Sequence, residues 1–399
     1  MNGKFCGARV DGAVAEQLRL NHASHAGVPM KIEEFKLERY QSLHENRVAY
    51  NLSESGVEPL SLRELLTPAE ADALLDRSLH YLQTNGLDEL RATIAAMYPG
   101  ATHENVLVTN GSAEANFIAM WSLLEPGDEV VMMLPNYMQI WGIARAQGAK
   151  VREWRLREDR QWAPNLDELE TLVNPRTKII AICNPNNPTG AVIREAELKR
   201  IASIADRVSA LVYSDEVYRG AERDGVMTPT VHGMARKTIV CGGLSKAYGL
   251  PGLRIGWLIG PAAFIANAWH HHDYTTITAA TPSQLAAIAA LREDNRKRLL
   301  ERTRKLINLN VPLVEEFIAK HGGQFSFVPP RAGAMAFLRY QAKMNSSEFV
   351  ELARKKQSIL MIAGDCYGMD GYVRLGIGGK RDHFLEGLER LSRVVAEIA

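Results

Sequence analysis

The chain has 399 residues, 46% hydrophobic and 23% charged, the balance of a globular protein long enough for a large and a smaller domain. Lys and Arg number 47 against 46 Asp and Glu, so overall charge gives no reason to expect nucleic acid or an anionic membrane as partner. Cys6, Cys183, Cys241 and Cys366 form no C-x-x-C pair, which excludes zinc-knuckle spacing and a dense disulfide framework and suggests reduced thiols in the cytoplasm.

Residues 1–29 are weakly patterned, rich in Ala, Gly and His, and lack the apolar centre of a signal peptide. They read as a loose extension, with ordered structure expected from MKIEEFKLERY at Met30 onward. From about residue 65 to 260, apolar runs alternate with helical patterns: NVLVTN, EVVMMLP, KIIAICNP, ALVYSDE, TIVCGGLS and RIGWLIG. Near-continuous Val, Ile, Leu and Met predict strands buried on both faces of a parallel sheet. The helix after NVLVTN is expected to bury Phe117, Ile118, Trp121 and Leu124 on one face. Beyond Thr281 one long helix is expected over SQLAAIAALREDNRKRLLERTRKLINL, then a mixed tail. TTITAATPSQLAAIAAL is too interrupted by polar residues to span a bilayer. The expected class is α/β: a mostly parallel central sheet sandwiched by helices over 65–290, and a smaller α+β domain built from 30–64 and 291–399.

Ligands of parallel sheets gather where strands end and loops lead into helices, and the unusual residues of this chain fall there. Gly111-Ser112-Ala113-Glu114 follows NVLVT, and small residues at a helix start leave backbone N–H groups open to an anion. Neither a P-loop nor a G-x-G-x-x-G fingerprint occurs, so such an anion would not belong to a Walker-type nucleotide. The loop NPNNPTG (Asn184–Gly190) supplies amide groups at a strand end, though it also reads as an ordinary tight turn. Asp215 closes the strand ALVYSD with Tyr218 three residues on; it is either a helix cap or a buried carboxylate that needs a cation. Lys246 lies among small residues in GGLSKAYGLPGLRIGW, with Arg254 eight positions later. A lysine in a dry pocket loses its proton more easily and becomes nucleophilic, and the arginine fork suits a phosphate.

This order of motifs resembles the class I/II aminotransferases, the fold type I pyridoxal-phosphate-dependent enzymes. The resemblance covers roughly residues 50 to 380 and is strongest in NNPTG, SDEVY and SKAYGLPGLRIGW. It implies pyridoxal 5'-phosphate as cofactor, Lys246 as the Schiff-base lysine, and Asp215 as partner of the ring nitrogen. It further implies Asn187 and Tyr218 on the phenolic oxygen, Tyr137 on the ring face, and Ser112, Ala113, Ser245 and Arg254 round the phosphate. YLQTNGLDELR resembles the segment that reaches a neighbouring subunit, which implies a homodimer with Tyr81 crossing the interface. Arg374, in YVRLGIG, matches the arginine that grips the substrate carboxylate, with Asn187, Ser55 and Gly56 beside it. The substrates implied are an amino acid and a 2-oxo acid, exchanged by a ping-pong mechanism.

Two departures stand out. Gly243 occupies a position where the family often has serine, implying one fewer phosphate hydrogen bond. Ser53–Val57 replaces an Asp-containing segment that lies over the substrate in many relatives, and a serine-rich version occurs in some amino-acid-cyclising ones. A lyase, cyclase or oxidase on one specialised amino acid is therefore the alternative reading. A non-enzymatic regulator would need a DNA-binding domain, and residues before Met30 are too few for a winged helix. No metal is expected: His270, His271 and His272 are consecutive, so they point different ways and read as a solvated run. DNRKRLLERTRK reads as a solvated helix face and Cys183 and Cys241 as small core residues. Tyr367 reads equally as a pocket wall or a packed loop residue, and Thr275–Thr278 as a contribution to a neighbour's pocket.

Overall fold

A computed structural model describes residues 32–398, so the extension expected over 1–29 lies outside the described residues. The described chain opens with a helix (Lys36–His44) and a two-residue strand, β1 (Tyr50–Asn51). The central sheet then takes β2 (Val106–Thr109), β3 (Glu129–Leu134), β4 (Lys150–Arg155), β5 (Thr177–Cys183), β6 (Leu211–Asp215), β7 (Thr238–Gly243) and β8 (Gly256–Ile259). Their spatial order is β2-β8-β7-β6-β5-β3-β4.

Pairing is parallel from β7 through β6, β5 and β3 to β4, while β8 runs antiparallel to both β7 and β2. The exception has a local cause. Only residues 244–255 join β7 to β8, and they hold no helical crossover to carry the chain back for parallel pairing. Those same residues carry Lys246 and Arg254. Every residue of β2, β3, β7 and β8 is buried, as continuous apolar runs require. β4 differs: Lys150, Arg152, Glu153 and Arg155 ride an edge strand with only Trp154 buried, so it presents no apolar run to read.

Two helical expectations need correction. In Ser112–Leu123 the buried residues are Ala115, Asn116, Ile118, Ala119 and Met120, whereas Trp121 is exposed and stacks on Phe117 at 5.6 Å. The buried stripe is thus rotated toward small residues, which let the helix lie close on the sheet. The long helix expected from Ser283 is two, Thr281–Leu291 and Glu293–Lys320, broken where Arg292 turns extended at ψ 144°. Sequence offers no glycine or proline at that break.

The remaining strands are β9 (Phe325–Phe327), β10 (Met335–Tyr340), β11 (Ile359–Leu360), β12 (Ile362–Ala363) and β13 (Tyr372–Gly376). Four of them form an antiparallel sheet ordered β12-β13-β10-β9. β1 pairs in parallel with β11, Tyr50 opposite Ile359, so the N-terminal segment is built into the C-terminal one. No helix among the described residues is long and apolar enough to cross a membrane.

Candidate active site

Asp215 is the last residue of β6 and is buried beneath the strand ends. Its Oδ1 accepts from the Val217 amide at 3.2 Å and its Oδ2 from Asn116 Nδ2 at 3.3 Å. Asn116 is itself set by Tyr213, whose hydroxyl donates to Asn116 Oδ1 at 2.6 Å. Burial raises the Asp215 carboxyl above its ordinary value, opposed by these donors and by the more distant charge of Lys246. A carboxylate so placed gains most from a cation brought close to it.

The helix Ser112–Leu123 begins beside this group. Its cap residue, Gly111, has φ 86° and offers no side-chain cap, so the first N–H groups stay available. A Cβ on Gly111 would lie 2.8 Å from Arg254 Cζ, which shows how tightly the guanidinium sits against the turn. One on Gly256 would overlap the Ser112 nitrogen and lie 2.8 Å from the Gly111 oxygen. Glycine is therefore required at the start of β8, opposite Thr109 of β2. Gly243 is less constrained: its added Cβ would lie 3.6 Å from Ser112 Cβ and 3.2 Å from the Ile255 oxygen.

Arg374, in the middle of β13, is 1% exposed. Its Nη1 donates to Asn187 Oδ1 at 3.0 Å and its Nη2 to the Ser53 carbonyl, while the guanidinium lies 5.7 Å over the Tyr367 ring. Its Nε has no partner among the described residues. Asn187 is held by a rigid loop in which Asn186 accepts from the Thr189 hydroxyl at 2.6 Å and donates to the Pro135 carbonyl at 3.1 Å. Across the site Tyr218 donates to Ser55 Oγ at 2.9 Å. Burial lifts the Tyr218 phenol well above its ordinary range, against the Arg374 charge. The Ser53–Val57 segment lies directly over the lysine: a Cβ on Gly56 would be 3.7 Å from Lys246 Cδ. It can do so because β13 is followed by glycines, and a Cβ on Gly378 would lie 2.7 Å from Val57 Cα.

These parts line one cavity of about 310 Å³: Ser112, Ala113, Tyr137, Asn187, Asp215, Tyr218, Ser245, Lys246, Arg254, Arg374 and Ser55 all contribute to it. Tyr137 stands against Phe35, ring centroids 4.8 Å apart, and its hydroxyl donates to Glu38 at 2.7 Å. A larger cavity of about 400 Å³, lined by Phe35, Trp141, Tyr367 and neighbours, contains none of the expected site residues except the doubtful Tyr367. Tyr81 is not brought to the site; it is 78% exposed on the loop after helix Pro68–Leu75.

Sequence reasoning missed Asn116, Glu38 and Gln41, all in the cavity wall, where Glu54 of the expected Ser53–Val57 cover also lies. Asn116 had a signal, being a lone amide in the apolar stretch of its helix. Glu38 and Gln41, three apart on one helix face, had none, because nothing local ties that helix to the sheet.

Of the histidine run, His270 is exposed as expected and His271 is half-buried, but the third departs from it. His272 is fully buried, its Nε2 3.3 Å from Glu114 Oε2. Thr275 and Thr276 donate to Glu114 at 2.5 and 2.9 Å, and the Asn110 amide does so at 2.6 Å. Burial works to raise the Glu114 carboxyl, but these donors outweigh it and hold it at about 2. The loop after the histidines thus braces the helix start of its own chain. Among the described residues no group of three His, Cys, Asp or Glu could hold a metal. Cys183 and Cys241 are buried, as expected of core residues, and Tyr367 is fully buried against Arg374 and Phe337.

Chemically, the cavity offers amides and an arginine to an anion, a buried carboxylate to a cation, a lysine to a carbonyl, and a second arginine to a carboxylate. Comparison with known proteins points the same way. The family description "Aminotransferase class I and II" matches residues 61–391. Capreomycidine synthase of Streptomyces vinaceus is 30% identical over 86% of this chain and 88% of its own length. An aspartate aminotransferase of Pyrococcus horikoshii is 28% identical over 79% and 83%. Among solved structures, a PLP-dependent aminotransferase from Streptococcus suis is 32% identical, covering 93% of this chain and 99% of that one with a TM-score of 0.87.

Proposed function

The chain belongs to the class I and II aminotransferases, and from that premise we propose that it moves an amino group between an amino acid and a 2-oxo acid with Lys246 as its Schiff-base lysine. The observation that carries this reading is the meeting of Lys246, Asp215, Asn187 and Arg374, from four distant parts of the chain, in one cavity. Pyridoxal 5'-phosphate is the cofactor of the family, and the residues present fit it. The uncapped helix start at Ser112, backed by Arg254 where a Gly111 side chain would stand, is a cradle for its phosphate. The buried Asp215 carboxylate, with only neutral hydrogen-bond partners, suits a protonated ring nitrogen.

When bound, the cofactor supplies an electron-withdrawing ring that stabilises negative charge at the substrate Cα. Ser112, Ala113, Ser245 and Arg254 would hold its phosphate, Asp215 its nitrogen, Asn187 and Tyr218 its phenolic oxygen, and Tyr137 its face. Asn116, set by Tyr213, aims Asp215 and offsets part of the burial that raises its carboxyl. Arg374 grips the substrate carboxylate through its fork, which sets the direction of the Cα–H bond. Lys246 Nζ takes up the proton from that carbon and would pass it on to the cofactor's carbonyl carbon, since return to Cα would leave the amino group where it was. Ser53–Val57 lies over Lys246 and leaves its side chain 28% exposed.

The test is addition of an amino donor alone to the cofactor-loaded protein. Amino transfer requires a 2-oxo acid product and loss of the lysine-bound cofactor absorbance without any acceptor present. Failure across a broad donor panel counts against the reading. Lys246→Ala is expected to lose that absorbance from the start.

A second reading is favoured by the polar Ser53–Val57 cover and by the likeness to a synthase. It is a lyase, cyclase or oxidase, recognised by ammonia, a cyclised product or peroxide formed with no oxo-acid acceptor. We also propose a homodimer completed by Tyr81, since Leu75, Leu79, Tyr81, Tyr274 and Ile277 are exposed apolar residues that an interface would cover. Sedimentation of wild type and Tyr81→Phe cofactor titration test it. Division into 30–64 with 291–399 and 65–290, and work in the cytoplasm with unpaired Cys183, Cys241 and Cys366, complete the proposal.

A further inference from the structure

The wall of the cavity opposite the sheet is acidic. Glu38 and Glu54 both line it, and Glu45 lies near enough to feel both charges. They come from separate segments: Glu38 and Glu45 from the helix Lys36–His44 and its end, Glu54 from the cover over Lys246. Each lining carboxylate is fixed by one neutral donor through one oxygen. Tyr137 donates to Glu38 Oε1 at 2.7 Å and Gln41 to Glu54 Oε1 at 3.2 Å. The other oxygens remain for a ligand. The ion-pair partner of Glu54 is Lys246, 3.9 Å from Oε2. At that distance the pair is loose, and the Glu54 side chain is 50% exposed, so its Oε2 is still open to a ligand.

An independent observation fixes the other end of a ligand. Arg374 Nε, in a side chain 1% exposed, has no partner and belongs to the same cavity wall. An orphaned guanidinium N–H buried in a cavity calls for an anion. The cavity therefore presents an anion site at Arg374, a reactive amine at Lys246, and a pair of carboxylates beyond it.

Building on the aminotransferase reading, we propose that the amino-acid substrate carries a cationic side chain, best a guanidinium, bound between Glu38 and Glu54. Two carboxylates on separate segments suit a planar fork of several N–H donors better than a compact ammonium. An acidic side chain is disfavoured by like charge, and an apolar one would leave both carboxylates facing it unpaired. Glu38 and Glu54 are specificity-determining residues in this account.

The experiment compares L-arginine with L-citrulline, which has nearly the same shape without the charge. Affinity for cofactor-loaded protein is measured by calorimetry, so that no turnover is needed, and release of 2-oxo acid is measured separately. Arginine should bind ~10- to 100-fold more tightly than citrulline, the worth of a charge-assisted hydrogen bond. In Glu38→Gln, Glu54→Gln and their double variant that ratio should fall stepwise toward one. Equal binding of the two ligands by the wild type, or an undiminished ratio in the double variant, overturns the proposal. Selective arginine binding without 2-oxo acid release upholds it while removing the amino-transfer reading. Amino transfer from apolar or acidic donors with no arginine preference does the reverse.

Discussion

Asn116→Ala tests whether a hydrogen-bond relay to Asp215 offsets the burial that works against its charge. The substitution removes the donor to Asp215 Oδ2 at 3.3 Å and the acceptor of the Tyr213 hydroxyl at 2.6 Å. A hydrogen bond to a charged acceptor contributes about 1.5–3 kcal/mol, and the long distance puts this one at the lower end. The orphaned Tyr213 hydroxyl, fully buried, costs about 1–3 kcal/mol more. Unfolding free energy should therefore drop by about 3 kcal/mol. About half of that loss bears on the charged form of Asp215 and pushes its carboxyl further in the direction burial already takes it. Affinity for pyridoxal 5'-phosphate should fall about tenfold, since about 1.4 kcal/mol is one decade. Urea unfolding and absorbance titration with the cofactor read the two effects. Tyr213→Phe provides the cross-check, because removing the hydroxyl should hurt the wild type yet relieve the Asn116→Ala variant. If Tyr213→Phe costs the same in both backgrounds, or if Asn116→Ala binds cofactor as tightly as wild type, the relay does not exist.

Three further outcomes follow from charge and close contact. Burial pushes Glu216 up to about 7, against Arg219 and its hydrogen bonds. A raised acid favours the folded state while protonated, so this stability is present below the ordinary 4.5 and is lost as pH rises through 7. The loss is on the order of 3 kcal/mol, and Glu216→Gln should flatten it in urea midpoints taken at low and high pH. Glu114 is the opposite case: held at about 2, it stabilises above its ordinary 4.5 and loses that effect as pH falls through 2. Glu114→Gln should accordingly be destabilised near neutrality, with the gap to wild type closing in acid, as thermal melts would record; equal melting at both extremes would contradict the bracing role. Gly256→Ala must displace the Gly111–Ser112 backbone, costing about 1–3 kcal/mol and weakening phosphate-containing ligands more than a phosphate-free pyridoxal in parallel titrations.

The parts of this molecule that sequence revealed are those whose signal is local. β3 and β7 are buried on both faces, so their side chains spell burial in a row, and the turns NNPTG and SKAYGLPGLRIGW carry their chemistry within a few residues. β4 escaped because an edge strand is free to be charged. The break at Arg292 escaped because it is imposed by packing of two helices and not by a breaker residue. His272 looked solvated beside two other histidines, yet the side chain that buries it, Glu114, is far away in sequence. Glu38 and Gln41 were invisible for the same reason. They enter the cavity only because the helix Lys36–His44 and the segment after β1 fold back over a sheet that starts at Val106.

The pairing of β1 with β11 has a consequence for how the protein is made. Ala49 and Ser358, which hydrogen bond beside that pair, are 309 positions apart. During synthesis the central sheet, Asp215 and Lys246 emerge and can pack while the early segment waits for a strand not yet translated. Closing so long a loop is slow compared with local folding, so the cover over Lys246 is set among the last events. Until then the nascent chain lacks the cover that leaves the Lys246 side chain only 28% exposed in the finished enzyme. Premature termination after β8 but before Ile359 would release a chain that carries every strand of the central sheet and Lys246 but not the strand that anchors the cover.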